Sequence, residues 1–173
     1  MVPLTQITLD AGLTCPNRDG TIARGGCIYC NAQGSGTGLY ARGLSVREQL
    51  ERSKSPVARR FKAYKFIAYF QSFSNTYAPL SRLRSAYEEA LAVPDIVGLA
   101  IGTRPDCIDE NALALLEQHA RRYLVWIEYG LQSAQDATLS RINRQHGSAE
   151  LIRVVDEAHE RDLPVLAFII LGM

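Results

Sequence analysis

Short apolar runs alternate with amphipathic stretches along most of this 173-residue chain, and the alternation limits the folds that it can adopt. Each run has the length of a β-strand and is almost continuously apolar, as is typical of parallel strands buried on both faces. The stretches between them carry apolar residues at helical spacing. The pattern predicts a parallel sheet covered by helices. The predicted strands are Pro3 to Leu9, Phe66 to Gln71, Ile96 to Gly102, Leu124 to Leu131 and Pro164 to Leu171.

Helices are predicted between these strands. Ser45 is followed three residues later by Glu48, which is the capping-box pattern of a helix start. The other predicted helices are Pro79 to Ala92, Asp109 to Arg122, Ala134 to Arg144 and Ser148 to Asp162. Because the last strand is as apolar as the inner ones, we expect it to have further partners. The first strand begins within a few residues of Met1. We therefore expect residues 1–173 to form one domain that is incomplete at the C-terminus and also at the N-terminus.

Strand alternation predicts which side chains face away from the helices. In the fourth strand, Glu128 and Gln132 share one face, and Ile127 and Tyr129 share the other. The third strand carries only glycine and alanine on one face, at positions 98, 100 and 102, which we interpret as room for a ligand. Four residues follow strands by zero to a few positions, and we expect them to meet at the carboxyl rim of a barrel. They are Cys15, Gln71, Thr103 and Gln132.

Composition excludes several classes of protein. The net charge is +1, so no large field indicates a nucleic acid or a membrane as partner. A basic cluster of Arg59, Arg60, Lys62 and Lys65 could touch phosphate, but a solvated helix end is the favoured interpretation. No apolar run reaches the ~18 residues of a membrane span, and no secretory signal precedes Cys15. Four cysteines here do not indicate a disulfide scaffold, so we expect a cytoplasmic protein with reduced thiols.

Three cysteines near the N-terminus are the strongest chemical signal. Eleven residues separate Cys15 from Cys27, and two separate Cys27 from Cys30. Thiolates favour zinc, copper(I) or iron–sulfur clusters. A structural zinc ion or a fully ligated cluster normally takes four protein ligands, so three cysteines leave one position open.

Three interpretations of the cysteines remain at this point. A zinc site needs a fourth ligand, for which the candidates are Cys107, His119, His146 and His159. A dithiol redox protein would use only the Cys27–Cys30 pair, which here follows two glycines in a long loop rather than opening a helix. An iron–sulfur cluster uses all three cysteines and leaves one iron for the amine and carboxylate of an amino acid, and we favour it.

At these residues the chain resembles the radical S-adenosylmethionine (SAM) superfamily. It is most similar to the YhcC/YtqA-type branch, which is itself similar to the catalytic subunit of elongator; the long first gap between cysteines is typical of that branch. The resemblance implies a partial (β/α)6 TIM-like barrel, here cut off after about five β/α units. Four segments carry it: LDAGLTCPNRDGTIARGGCIYC, YFQSFSNTYAPL, IGTRPDC and EYGLQSAQDATLSRINRQH.

The resemblance also implies a reaction and its cofactors. Cys15, Cys27 and Cys30 would ligate three irons of a [4Fe–4S] cluster, and SAM would chelate the fourth. One electron from an external flavodoxin- or ferredoxin-like donor would cleave SAM to methionine and a 5′-deoxyadenosyl radical, which abstracts hydrogen from a substrate. The elongator-like character suggests a transferase that modifies the wobble uridine of tRNA.

Further residues are implied as SAM contacts. Tyr29 resembles the aromatic residue beside the adenine, Gln132 the amide at the ribose, and Arg144 the arginine that pairs with the methionine carboxylate. Gln71 opens the segment QSFSNT, which stands where many relatives have a glycine-rich amine-binding segment. Thr103 and Glu128 complete the expected cofactor site.

Other roles are open for several of these residues and their neighbours. Gln132 could instead cap the following helix, Arg144 could be a surface charge, and Glu128 could pair with Arg104 or Arg144. Arg104 could instead contact an anionic substrate. Cys107 is interpreted as a small buried residue.

Overall fold

Five parallel strands form one sheet in the computed structural model, which describes residues 3–173. Their spatial order is their order in the chain. They are β1 (Leu4–Leu9), β2 (Lys65–Phe70), β3 (Ile96–Thr103), β4 (Leu124–Gln132) and β5 (Val165–Ile169). Each of the five lies where the sequence predicts it, with ends that differ by at most two residues.

Six α-helices and two short 3-10 turns connect the strands. The helices are α1 (Pro16–Asp19), α2 (Val46–Phe61), α3 (Leu80–Leu91), α4 (Glu110–Ala120), α5 (Asp136–Arg141) and α6 (Ser148–His159), and the turns are Tyr40–Arg42 and Pro105–Cys107. The predicted capping box opens α2: the Glu48 amide donates to Ser45 Oγ at 3.2 Å, and the Ser45 amide donates to Glu48 Oε2 at 2.8 Å.

The sequential strand order gives the sheet the topology of a partial barrel. Because crossovers between parallel strands are right-handed, neighbours taken in chain order carry their helices to the same face. One apolar core fills the space between that face and the helices, and it includes Leu50 of α2, Leu83 of α3, Leu116 of α4 and Ile127 of β4. The opposite face is therefore left for polar side chains and a ligand.

The prediction that β4 has one apolar and one polar face is confirmed. Val125, Ile127 and Tyr129 pack in the core under the helices, whereas Glu128 lines the cavity on the opposite face of the sheet. The interpretation of β3 is only partly right. Gly102 lines the interior cavity, but a Cβ at Gly98 would lie 2.1 Å from the carbonyl oxygen of Leu124. Gly98 therefore allows close approach of the β4 backbone and does not leave space for a ligand.

The segment after β4 differs from its prediction. The helix expected over Ala134 to Arg144 begins at Asp136 and ends at Arg141, because Asn143 and Gln145 have φ angles of 58° and 64°. These left-handed residues end the helix. The four-residue helix α1 was not predicted, although Pro16 stands at its start and Gly20, with a φ of 96°, ends it. Among the described residues, no helix is both long and apolar enough to cross a membrane.

Candidate functional site

The cysteines lie in the long connection from β1 to α2. Cys15 directly precedes α1, and its carbonyl oxygen accepts the amide hydrogen of Arg18 at 2.8 Å. Cys27 and Cys30 are joined by a turn in which the Cys30 amide donates to the Cys27 carbonyl at 3.0 Å. The pair thus does not open a helix as a thioredoxin-like motif would, and all three thiols are free.

This cysteine loop is bound to the segment that follows α5. Asn17 Nδ2 donates to the carbonyl of Asn143 at 2.6 Å, and Asn143 Nδ2 donates back to the carbonyl of Gly26 at 2.8 Å. The amide of Ile28 adds a bond to the carbonyl of Ile142 at 3.2 Å. These bonds join residues more than a hundred positions apart. They hold Cys27 beside Arg144, the residue that follows Asn143.

One cavity of about 360 Å3 brings the predicted site residues together. It lies at the carboxyl ends of the strands, between the cysteine loop and the interior face of the sheet. All nine residues that the sequence predicts for the cluster and SAM line it: Cys15, Cys27, Tyr29, Cys30, Gln71, Thr103, Glu128, Gln132 and Arg144. The expected convergence at one rim is therefore confirmed, and Arg104 lines the same cavity.

Two buried guanidinium groups form the wall of the cavity near Cys27. Arg144 Nη1 lies 3.6 Å from Cys27 Sγ, and its Nη2 donates to the carbonyl of Gly130. Arg104 holds Asp106 through two bonds of 2.8 and 2.7 Å and donates to the carbonyl of Arg144 at 2.8 Å. Arg144 is only 6% exposed, so the interpretation as a surface charge is wrong.

Each of these arginines also carries a buried nitrogen with no partner in the described structure. The nitrogens are Nη1 of Arg104 and Nε of Arg144. Buried donors in folded proteins are almost always satisfied, and a guanidinium binds carboxylates and other anions well. The wall is therefore suited to an anionic ligand. Three thiols beside two such guanidinium groups fit an iron–sulfur cluster that also binds the carboxylate of an amino acid.

The arginines also control the charge of the nearest thiol. Burial disfavours the thiolate of Cys27, but the Arg144 guanidinium and the Tyr29 hydroxyl favour it more, and the pKa of Cys27 lies below its ordinary value. Burial, with the adjacent Cys27, raises the pKa of Tyr29 despite the opposing charge of Arg144. Tyr29 therefore stays a neutral donor while Cys27 is predisposed to be a thiolate ligand.

Glu128 also lines the cavity and is held by neutral donors. Trp126 Nε1 donates to its Oε1 at 2.8 Å, and Gln6 Nε2 lies 3.4 Å from the same oxygen. Burial and the Glu128 carboxylate raise the pKa of Tyr69, whose hydroxyl is a third neighbour. The alternative in which Glu128 pairs with Arg104 or Arg144 is wrong, since Arg104 instead pairs with Asp106.

The end of β4 combines strained backbone with open space. Gln132 has a φ of 73°, which is rare for a residue other than glycine and is typical of functional sites. A Cβ at Gly130 would lie 2.4 Å from Gln132 Nε2 and 3.0 Å from Arg144 Nη2, so a methyl group there would displace the ends of these two side chains. Gln132 does not cap α5, whose N-cap is Gln135.

The QSFSNT segment connects the cysteine loop to β3. The backbone amide of Phe73 donates to the carbonyl of Gly34 at 3.2 Å, and the backbone amide of Asn75 donates to the carbonyl of Gly102 at 3.1 Å. Asn75 is fully buried, and its Nδ2 donates to the carbonyls of Phe70 and Gly102 at 3.1 and 2.8 Å. Of this segment, Gln71 and Phe73 line the cavity. The other four residues do not line it, and Asn75 among them binds the backbone at the ends of β2 and β3.

Thr103 has a partner beneath the cavity: its Oγ1 lies 2.7 Å from Thr76 Oγ1. Asn17, Asn75 and Asn143 are positioning residues that sequence reasoning missed. The only signal was their type, since asparagine often bonds to backbone in loops.

The zinc interpretation finds no support in the arrangement of side chains. Within residues 3–173, no three His, Cys, Asp or Glu side chains are grouped closely enough to hold a single ion. Cys107 is buried as expected, and burial together with the Asp106 carboxylate raises its pKa to about 12. It lines a neighbouring cavity of about 660 Å3 and not the one that holds the other cysteines. His119 packs against the Tyr87 ring, away from the thiols.

Comparison with solved structures supports the fold. An archaeal Elp3 from Methanocaldococcus infernus, with an N-terminal deletion, superposes with a TM-score of 0.65 at 15% identity, covering 100% of this chain and 39% of that one. The cobalamin-dependent S-adenosylmethionine radical enzyme OxsB, solved with aqua-cobalamin and S-adenosylmethionine, gives 0.59 at 15% identity, covering 96% and 23%.

Sequence comparison supports the family and its branch. Protein YhcC of Escherichia coli K12 is 44% identical over 169 residues, which are 97% of this chain and 53% of YhcC. The uncharacterized protein YtqA of Bacillus subtilis is 39% identical over 168 residues, 97% of this chain and 52% of YtqA. The chain thus spans about half the length of these relatives. A model of the radical SAM superfamily matches residues 17–173, and the chain belongs to that superfamily.

Proposed function

We propose that this chain is the core domain of a radical SAM enzyme, spanning residues 1–173, with Cys15, Cys27 and Cys30 as ligands of a [4Fe–4S] cluster. The convergence of these three thiols on the arginine-lined cavity carries the proposal. When bound and reduced by one electron, the cluster supplies the electron that cleaves SAM into methionine and a 5′-deoxyadenosyl radical.

The chemistry of the cavity supports SAM as the second ligand. SAM carries a carboxylate, an ammonium and a sulfonium, so it needs partners of both signs. Arg144 lines the cavity, and its guanidinium would pair with the carboxylate. The Glu128 side chain also lines the cavity, where Trp126 and Gln6 donate to it, and it would be the partner of a cationic group.

The remaining polar residues of the cavity are proposed to orient the nucleoside. Gln132 would bind the ribose hydroxyls, and the neutral ring of Tyr29 would border the adenine. Gln71 and Thr103 would contact the amino-acid end, although the Thr103 hydroxyl is already shared with Thr76. The Asn17–Asn143 bonds would keep Cys27 and Arg144 at a fixed separation, which positions the ligand before reaction.

The substrate and partners are proposed by similarity alone. The elongator-like resemblance favours a transferase acting on the wobble uridine of tRNA, with a flavodoxin- or ferredoxin-like protein as electron donor. Four free cysteines suit a reducing, cytoplasmic environment. Fold does not determine substrate, and the relatives are about twice as long, so these points concern the whole protein.

Electron paramagnetic resonance tests the cluster. The chain is reconstituted anaerobically with iron and sulfide, reduced with dithionite and measured with and without SAM. We expect a [4Fe–4S] signal that shifts when SAM is added. Cys15→Ala, Cys27→Ala and Cys30→Ala should each abolish the signal, whereas Cys107→Ala, which removes a buried thiol outside the cavity, should keep it. A cluster that survives Cys15→Ala, or one zinc ion retained in its place, would contradict the proposal.

Calorimetric titration with SAM tests the second ligand. Arg144→Ala should weaken binding at least about tenfold through loss of a charge-assisted contact. Gly130→Ala should do the same through the added methyl group, with the cluster signal unchanged in both variants. Arg141→Ala, an exposed arginine at the end of α5, is the matched control. Unchanged affinity in Arg144→Ala would remove that role from Arg144.

A further inference from the structure

A basic and aromatic corner lies at the opposite end of the sheet from the cavity, where α2 ends and β2 begins. We define the basic corner as Arg59, Arg60, Phe61, Lys62 and Tyr64. We infer that the basic corner binds single-stranded nucleic acid through phosphates and unstacked bases. This inference assigns a binding surface to the class of partner that is proposed above by similarity alone, and it can fail without affecting the radical chemistry.

Positive charge is concentrated in this part of the chain. Residues 52–65 contain six basic residues and no acidic one, in a protein whose net charge is +1. Asp95 forms ion pairs with both Lys54 and Lys65, each at 3.1 Å. Within the described residues, Arg59, Arg60 and Lys62 form no ion pair, so the basic corner itself keeps its charge.

Two large aromatic side chains are exposed among these cations. Phe61 is 54% exposed and Tyr64 is 55% exposed. The guanidinium of Arg60 lies 5.2 Å from the centre of the Phe61 ring. Exposed apolar side chains also occur elsewhere on this chain, but at the basic corner two exposed rings stand directly beside three cations that are unpaired in the part of the chain that the structure describes. A partner that offers both anions and flat apolar faces would use the cations and the rings together.

Single-stranded nucleic acid has the matching chemistry. Its phosphates pair with Arg and Lys, and its unstacked bases stack on aromatic rings and guanidinium planes. A duplex keeps its bases stacked and would leave Phe61 and Tyr64 unused. A membrane surface would require a larger continuous apolar face, whereas here only two rings stand among three free cations.

Fluorescence anisotropy with a labelled 12-nucleotide oligouridylate and the full reconstituted chain tests the inference. Removing three cations, as Arg59→Ala/Arg60→Ala/Lys62→Ala, should weaken binding at least about tenfold. It should also reduce the slope of log affinity against log salt by about 2, at about 0.7 per phosphate contact. Phe61→Ala/Tyr64→Ala should weaken binding about fivefold or more and leave the slope unchanged, because stacking does not release counterions.

A charge-matched variant separates local contact from net charge. Arg47→Ala/Arg84→Ala/Arg153→Ala removes three arginines, two exposed and one half-buried, that are already paired with glutamates. We expect its affinity for the oligonucleotide to stay within about twofold of the parent chain.

Four results would overturn the inference: equal loss in this control, no loss in the aromatic variant, equal binding of a 12-base-pair duplex, or binding only to phosphatidylserine vesicles. The reduced-cluster signal of the same sample reports the radical chemistry separately, so either proposal can fail alone.

Discussion

The buried Arg104–Asp106 pair predicts a large loss of stability when Asp106 is changed to asparagine. The side chains of Arg104 and Asp106 are 3% and 14% exposed, and two parallel bonds of 2.8 and 2.7 Å join them. Asp106→Asn leaves a buried guanidinium without an anion, which typically costs about 3–5 kcal/mol. Asparagine keeps one acceptor oxygen, so we expect about 3 kcal/mol of unfolding free energy to be lost at pH 7.

The same pair predicts how this loss depends on pH. Burial raises the pKa of Asp106, but the hydrogen bonds and charge of Arg104 lower it further, so that the folded pKa lies below its ordinary value of 3.8. A depressed carboxyl pKa adds stability above the unfolded pKa, and that stability is lost as pH falls through the folded pKa. The difference in unfolding free energy between the parent and Asp106→Asn should therefore become smaller below about pH 4.

Urea unfolding of the cluster-free chain, followed by circular dichroism at pH 7 and pH 3, measures both effects. Asp109→Asn is the matched control, because Asp109 caps α4 by accepting the Ala112 amide at 2.8 Å and asparagine caps equally well. We expect the control to stay within about 0.5 kcal/mol of the parent. A loss below 1 kcal/mol for Asp106→Asn, or a gap that is the same at both pH values, would refute the reasoning.

Substitutions at three further positions should each change the stability of the chain by a defined amount. Asn75→Ala should lower the unfolding free energy by about 2 kcal/mol, since two backbone carbonyls lose a donor. Asn75→Asp should be worse at pH 7 and improve at pH 4 in thermal melts; a more stable Asp than Ala variant at pH 7 would contradict this. Ser45→Ala should cost about 1 kcal/mol of urea stability and Ser45→Asp much less; equal losses would contradict the capping role. Trp126→Phe removes a donor to buried Glu128 and should cost about 2 kcal/mol by circular dichroism, whereas no change would mean that water replaces the indole.

The sheet and much of the cavity could be predicted because they follow from local periodicity. The period of two in β4 determines that Glu128 faces the interior and Ile127 the core. Parallel strands end at one rim, so Thr103 and Gln132 had to approach each other. These conclusions need only neighbouring residues, and a single sequence contains that information.

The contacts that organise the cysteine loop could not be predicted in this way. Asn17 bonds to Asn143 across 126 positions, and no periodic pattern connects them. The sequence suggested Arg104 as a contact for an anionic substrate, but it did not show that Asp106, only two residues away, pairs with its guanidinium. Which of several nearby groups a guanidinium pairs with depends on backbone angles at the rim, and those angles follow from tertiary packing.

The two arginines of the cavity explain why the rim needs both long-range and local contacts. Arg104 donates to the carbonyl of Arg144, so the loop after β3 holds the segment after α5. Asp106 fixes Arg104, and Asn143 fixes the cysteine loop to the same segment. Each contact restrains the next, from the β3 rim to Cys27. Loss of the Asp106 contact should therefore also affect Arg144. Its guanidinium would be less restrained, would present more orientations to an anion and would bind it less tightly.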